Sequence, residues 1–351
     1  MVVLASIELK FIDNIYAHEA VVHHRNFSLP YCKNNEYIAG FWERMNSTSP
    51  SKSFYCCGWD YKDYQSNSDK CGYGNYNYNS GTYIGSNHIY AHSGGHACSC
   101  DAISPLGRNK INEREMYVWK PAYCDLLDWN ATLFCQLLGT KTIALIGDST
   151  MEQTATTLMN MIRHNNGGCA HQIRLCRTDF LVSVTHPGKE LNAMEYIELY
   201  KPSIAIFNYG AHGHIMSDIE STWKSFVPML KRIKKLFPNI QLVWKSQNTG
   251  HLFCANHSDN VHHPNIIYDP IHGSHGADYY KWYNFPGFDE VSRNYTLKLN
   301  ISMKFIDMSP LNFRIDAHAR PAMDCLHYCL PGPINLFSIL LLQMLYNQEL
   351  Y

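Results

Sequence analysis

The chain has 351 residues, 29 basic and 30 acidic side chains and a formal net charge of −1, enough to bury a full core as one large α/β domain or a domain with an appendage. A balance so near zero gives no global field that argues for nucleic acid or an anionic membrane surface, and neither nucleic acid nor a membrane span is expected. The 13 cysteines have little use in a reducing cytosol and much as disulfides in a secretory compartment. Their odd number leaves at least one thiol outside any intrachain pair. Six glycosylation sequons, at Asn26, Asn46, Asn130, Asn256, Asn294 and Asn300, point to the same compartment.

The chain opens with a short apolar stretch broken by Glu8, Lys10 and Asp13. It is too short and too charged for a signal peptide or a membrane span, so targeting is expected to rest on a segment not visible here. Residues 1–117 read as a loop-rich, cysteine-containing segment packed on a catalytic domain at 118–351. Within it, Phe54 to Cys100 is rich in Tyr, Asn, Gly and Ser and carries five cysteines. Its plain reading is a disulfide-stapled coil; its functional reading is a tyrosine wall for stacking sugars. The cysteine spacing matches no zinc ribbon, and no metal is expected.

From Val118 the pattern turns regular. Trp129 to Leu138 reads as a short helix, and Thr142 to Ile146 as a strand buried on both faces. Gly147-Asp148-Ser149 turns the chain into a helix whose apolar face is Met151, Ala155, Leu158, Met159 and Ile162. Further strands are expected within His171–Val184, Pro202–His212, Gln241–Ser246 and Met303–Met308. A helix follows the capping pattern Ser217-Asp218-Ile219-Glu220, with a kink expected at Pro228. Asn248 to Leu299 reads as a long His-, Asn- and Gly-rich excursion, and the run after Pro333 as an amphipathic closing helix. Alternating strands and helices imply a three-layer αβα sandwich around a mainly parallel sheet.

Such sheets bind ligands beyond the carboxyl ends of their strands. Ser149 and Asn208 both follow predicted strands, which brings them to that edge. Ser149 and Asp148 can serve as plain helix caps. Alternatively, Ser149 is a nucleophile, beside helix N–H groups that stabilise an oxyanion. A serine hydroxyl needs an imidazole to accept its proton, and the imidazole needs a carboxylate to orient it. Asp324 and His327 stand three apart on a predicted loop before the last helix, with Cys325 and Cys329 flanking the histidine. Asn208 can complete an oxyanion hole with the Ser149 N–H, and Arg177 can hold an anion or form an ordinary ion pair. His251, His257, His262, His263, His272 and His275 fit no zinc spacing and read as solvated.

These motifs resemble those of the PC-esterase branch of the SGNH (GDSL-type) hydrolases, the trichome-birefringence-like proteins. The matching residues are Cys32 with Gly40 and Trp42; Trp119-Lys120-Pro121 with Cys124 and Leu126; Gly147 to Ser149; Asp316 and His318; and Asp324 through Gly332. The resemblance implies an O-acetyltransferase or esterase acting on polysaccharide hydroxyls in the Golgi lumen, with Ser149, His327 and Asp324 as its triad. It implies disulfides Cys32–Cys124 and Cys254–Cys325, and leaves Asp316 and His318 as structural or acceptor-side residues. The expected reaction passes an acetyl group through acyl-Ser149 to a glycan hydroxyl. It needs no bound cofactor, only an acetyl donor such as acetyl-CoA as co-substrate. Water in place of the sugar would make the same site an esterase, and a dead site would leave a glycan-binding protein. The acceptor and the oligomeric state are not readable from the residues.

Overall fold

The computed structural model describes residues 29–45, 75–77, 82–84, 117–164, 167–183, 191–213, 215–251, 254, 281–320 and 324–350. The chain divides into units Met1–Pro30 and Tyr31–Tyr351, and the second holds every element below.

In chain order the strands are β1 (Gly40–Arg44), β2 (Asn75–Asn77), β3 (Thr82–Ile84), β4 (Tyr117–Pro121), β5 (Ile143–Gly147), β6 (Ile173–Arg177), β7 (Ile204–Phe207), β8 (Gln241–Lys245), β9 (Met303–Ile306), β10 (His318–Arg320) and β11 (Asp324–Tyr328). The α-helices are α1 (Ala131–Leu138), α2 (Ser149–His164), α3 (Ala193–Tyr200), α4 (Met216–Leu236), α5 (Phe285–Lys298) and α6 (Asn335–Tyr346). The central sheet runs β6-β5-β7-β8-β9, and all four pairings are parallel. Strand alternation sends Ile143, Leu145, Ile204, Ile206 and Val243 to one face, against α1, α2 and α6. It sends Ala144, Ile146, Ala205, Phe207 and Trp244 to the other, against α3, α4 and α5. This is the three-layer αβα sandwich that alternating elements imply.

Four details depart from the sequence reading. The 248–299 excursion contains helix α5, whose Pro286 and Gly287 in the first turn disguise it. The closing helix α6 is not amphipathic: Leu336, Phe337 and Leu340 to Leu345 are all buried, in the core cluster that also holds α1 and α2. The stretch before it is a β-hairpin rather than a loop, with β10 and β11 antiparallel and a bulge between His318 and Arg320. Pro228 lies inside the 21-residue α4, and the Asp218 carboxylate accepts the Ile215 N–H, so the helix is capped two residues earlier than the Ser217–Glu220 pattern predicts.

A two-stranded ribbon, β1 with β4, carries the Gly-x-Trp and Trp-Lys-Pro motifs. Trp42 faces Trp119 across it with ring centroids 5.5 Å apart. Gly40 is required by the close approach: a Cβ there would overlap the Lys120 carbonyl oxygen. Trp42 Nε1 donates to Pro310 O at 2.8 Å, Trp119 Nε1 donates to Tyr37 O at 2.7 Å, and the Arg314 guanidinium covers the Trp42 ring at 4.9 Å. The ribbon thereby buttresses the segment that leads into β10. Cys32–Cys124 and Cys254–Cys325 are disulfides, as the resemblance implied. Cys135–Cys169 is a third. Cys329 is disulfide-bonded too, while Cys176 is a buried thiol. Among the described residues no helix is long and apolar enough to cross a membrane.

Candidate active site

The strand order reverses direction between β5 and β7, since β6 follows β5 in sequence yet lies on its other side. Crevices at such a switch point, beyond the carboxyl ends of the strands, are the usual ligand sites of open α/β sheets. β5 runs straight into α2, and β7 ends one residue before Asn208.

Asp148 caps α2. Its Oδ1 accepts from Thr150 N at 2.9 Å and from Thr150 Oγ1 at 2.7 Å, and its carbonyl accepts from Met151 N and Glu152 N. With the cap supplied by Asp148, Ser149 is left as the first helical residue. Its Oγ lies 2.8 Å from Nε2 of His327, and both residues are nearly buried. A residue at the head of a helix and one on a hairpin 178 positions later thus meet at hydrogen-bond distance. The distance is one that a serine nucleophile and an imidazole base would need for covalent catalysis. Asp324 begins β11, three residues before His327; its side chain lies outside the described residues.

The hairpin is held on α2 by Gln153, one turn after Ser149 and so on the same helix face. Its side-chain amide both donates to and accepts from the backbone of Tyr328, the residue after His327. Sequence reading passed over Gln153, although its i+4 spacing from Ser149 was available as a signal.

Asn208 is fully buried at the tip of β7. Its Nδ2 donates to Thr150 Oγ1 at 2.7 Å and sits 3.4 Å from Asp148 Oδ1. In the resting site the amide hydrogens face the helix cap, and Asn208 acts as a brace for the Gly-Asp-Ser turn. Gly147 permits that brace, because a Cβ would run into the Asn208 side chain. Beneath it, Lys245 is fully buried, donating to Asn248 Oδ1 at 2.7 Å and to Ser246 O at 3.0 Å. Burial lowers its pKa to about 8, although the Asp148 and Asp289 charges oppose the shift. Asn248 Nδ2 donates in turn to Thr150 O at 3.3 Å.

Arg177, the last residue of β6, pairs with Asp179 and lies 3.4 Å from Glu152 of α2. His212 approaches the same Asp179 at 3.2 Å. Burial alone would raise the Asp179 pKa, but the His212 hydrogen bond and the Arg177 charge outweigh it and hold it at about 2. Arg177 is therefore engaged in an ion-pair cluster at the sheet edge. His212 and Asp179 were missed because each stands in a short polar turn with no distinguishing spacing.

Asp316 is buried against Arg314, accepting from Nε at 2.9 Å and from Nη2 at 3.0 Å. His318 is buried as well, with Nδ1 3.2 Å from His327 O and Nε2 2.7 Å from Nδ1 of His251. His251, expected in a solvated loop, is buried: its Nε2 bonds the Asn312 carbonyl at 3.0 Å, and its backbone N–H donates to Cys325 O. Its depth comes from the neighbouring Cys254–Cys325 crosslink, which ties this segment to β11. His257, His262, His263, His272 and His275 lie outside the described residues.

No protein-family model and no curated protein matches the chain. Among solved structures, the lipopolysaccharide acetyltransferase periplasmic domain of Salmonella ser. Paratyphi A is similar at a TM-score of 0.35 and 13% identity, over 61% of this chain and 85% of that one. Likeness at that level establishes neither family nor activity.

Proposed function

We propose that the chain is a serine-dependent O-acetyltransferase of the PC-esterase type, moving an acetyl group to a hydroxyl of a polysaccharide or glycan. The observation that carries this reading is the 2.8 Å contact between Ser149 Oγ and His327 Nε2 at the switch point of a parallel sheet. His327 takes the hydroxyl proton as Ser149 attacks the acetyl carbonyl of a donor such as acetyl-CoA. The Ser149 N–H is assigned to the developing oxyanion, since Asp148 already holds the next three N–H groups of α2. Collapse returns the proton to the departing group and leaves acetyl-Ser149. A glycan hydroxyl then attacks, again giving its proton to His327, and the ester passes to the sugar as Ser149 is re-protonated. Asp324 is assigned as the carboxylate that orients the imidazole, and Arg177 with its ion-pair cluster as one wall of the cleft. No step requires a metal. The disulfides support residence in an oxidising compartment, with the Golgi lumen as the proposed site.

The test is mass spectrometry of the intact protein with a labelled acetyl donor, followed by addition of oligosaccharide. Acetyl-Ser149 should accumulate and discharge to the sugar, and Ser149→Ala should do neither. Label released only as free acetate would make the enzyme an esterase. Turnover by Ser149→Ala at the wild-type rate would end the acyl-serine reading.

A further inference from the structure

We propose that His251 and His318 share a single buried proton and, as a cationic pair, position the catalytic imidazole through the backbone of His327. The argument is a count of hydrogens. A carbonyl oxygen only accepts, so the contact between His251 Nε2 and Asn312 O at 3.0 Å puts a hydrogen on Nε2. The contact between His318 Nδ1 and His327 O at 3.2 Å likewise puts one on Nδ1. The two remaining nitrogens, His251 Nδ1 and His318 Nε2, face each other at 2.7 Å. Were both rings neutral, two lone pairs would meet at that distance. One further hydrogen between them satisfies all three contacts, and four ring nitrogens then carry three hydrogens, one more than two neutral imidazoles hold.

Both side chains are buried, so the extra charge is expensive unless hydrogen bonds hold it. The surroundings are suited to that. Tyr328 packs its ring on His318 with centroids 4.4 Å apart and lies 6.5 Å from His251. Burial pushes the Tyr328 phenol well above its usual pKa, against the Arg314 charge and with that of Asp316, so it stays neutral while donating to Thr249 O. Arg314 and Asp316 cancel as a buried ion pair. His327, whose carbonyl His318 Nδ1 meets, is a further titratable neighbour. Cys254 and Cys325, which fix the His251 segment to β11, are oxidised and do not titrate.

The consequence is a built-in alkaline limit. When rising pH removes the shared proton, the facing lone pairs repel and one of the three contacts must open. The longest, to His327 O, is the one that opens, and the backbone of His327 loses a restraint. The effect on turnover rests on the reading of His327 as the base; the proton count does not.

The experiment is nitrogen-15 NMR of the full chain labelled at histidine, with the two rings assigned by single substitution and followed across pH beside turnover. Three ring N–H groups are expected on the pair at neutral pH, with one lost as activity falls at high pH. His318→Asn keeps a donor at the Nδ1 position but removes the partner of His251. It should hold turnover within about threefold at neutral pH and abolish the alkaline fall, whereas His318→Leu should lose about tenfold at every pH. Two neutral rings in the wild-type protein at its working pH would overturn the proposal, as would an unchanged alkaline limb in His318→Asn. Should the count hold in a protein with no acyl transfer, the pair stands and the proposed function falls.

Discussion

Gln153 and Tyr328 hold each other by two hydrogen bonds: Gln153 Nε2 donates to Tyr328 O at 2.8 Å, and Tyr328 N–H donates to Gln153 Oε1 at 3.1 Å. One amide thereby satisfies both backbone groups of the residue following His327. Since Gln153 lies one turn beyond Ser149, the same helix face supplies the proposed nucleophile and the clasp on the hairpin that carries its proposed base.

Removing that clasp should misplace the imidazole without touching the reacting atoms. Gln153→Ala leaves a buried N–H and a buried carbonyl unpaired, a loss of about 2–4 kcal/mol in stability. Displacement of His327 by even a fraction of an ångström should lower kcat by about tenfold to a hundredfold, with KM little changed. Denaturant unfolding and steady-state kinetics on the same preparation check both halves. Wild-type kcat in a destabilised Gln153→Ala protein would show that the hairpin does not need this restraint.

The Cys254–Cys325 crosslink gives a second handle on the same hairpin. It closes a loop spanning 71 residues and attaches to β11 two residues before His327. The paired Cys254→Ser, Cys325→Ser protein should lose about 2–4 kcal/mol. Activity should fall further than stability at temperatures where the protein remains folded, because the His251 segment also leaves β11. Thermal melts and turnover below the melting range separate these effects. Equal activity of oxidised and crosslink-free protein would exclude a catalytic role for the bridge.

A third expectation concerns Gly147. Ala at this position places its methyl where Asn208 now sits, so the Asn208–Thr150 bond and the cap of α2 must yield. The overpacking should cost about 1–3 kcal/mol, and misplacement of Ser149 should reduce kcat. In a double-mutant cycle, Gly147→Ala in an Asn208→Ala background should cost less than in the wild type, since the clashing amide is gone. Strict additivity would show that the clash is relieved elsewhere.

How much of this was legible in the residues varies with the kind of information each feature needs. Ser149 was readable because a buried strand running into an amphipathic helix is a local pattern. His327 was readable because two cysteines bracket it. The placement of Asn208 at a strand tip was readable too, but its partner was not: only the folded turn brings Thr150 Oγ1 under the amide. Helix α5 was hidden by Pro286, Gly287 and the polar run before it, although its buried Phe285 and Phe288 secure it against the sheet. His251 was misread as solvated because nothing local marks a histidine as buried. Its depth depends on Cys254, Cys325 and Asn312 meeting across long stretches of chain.

The last prediction follows from the ion cluster at the sheet edge. Burial opposes the charged form of His212, but its hydrogen bond to Asp179 and the charges of Asp148 and Asp179 outweigh that, with Arg177 opposing, and raise its pKa above 6.5. A raised pKa means the proton is held more tightly in the folded state. Its stabilisation is therefore fully present below the unfolded value and disappears as pH rises through the folded one. Asp179 is the mirror case. With its pKa lowered to about 2 from 3.8, its contribution is present above the unfolded value and is lost as pH falls through about 2. The two contributions coexist between 3.8 and 6.5. His212→Gln should therefore lower Tm most near about pH 5.5, and the gap to wild type should close as pH rises past the folded pKa of the histidine. Thermal melts at a series of pH values measure this directly, and NMR titration of His212 supplies the pKa independently. A Tm difference that stays constant with pH would mean that the His212–Asp179 contact carries no charge in the folded protein.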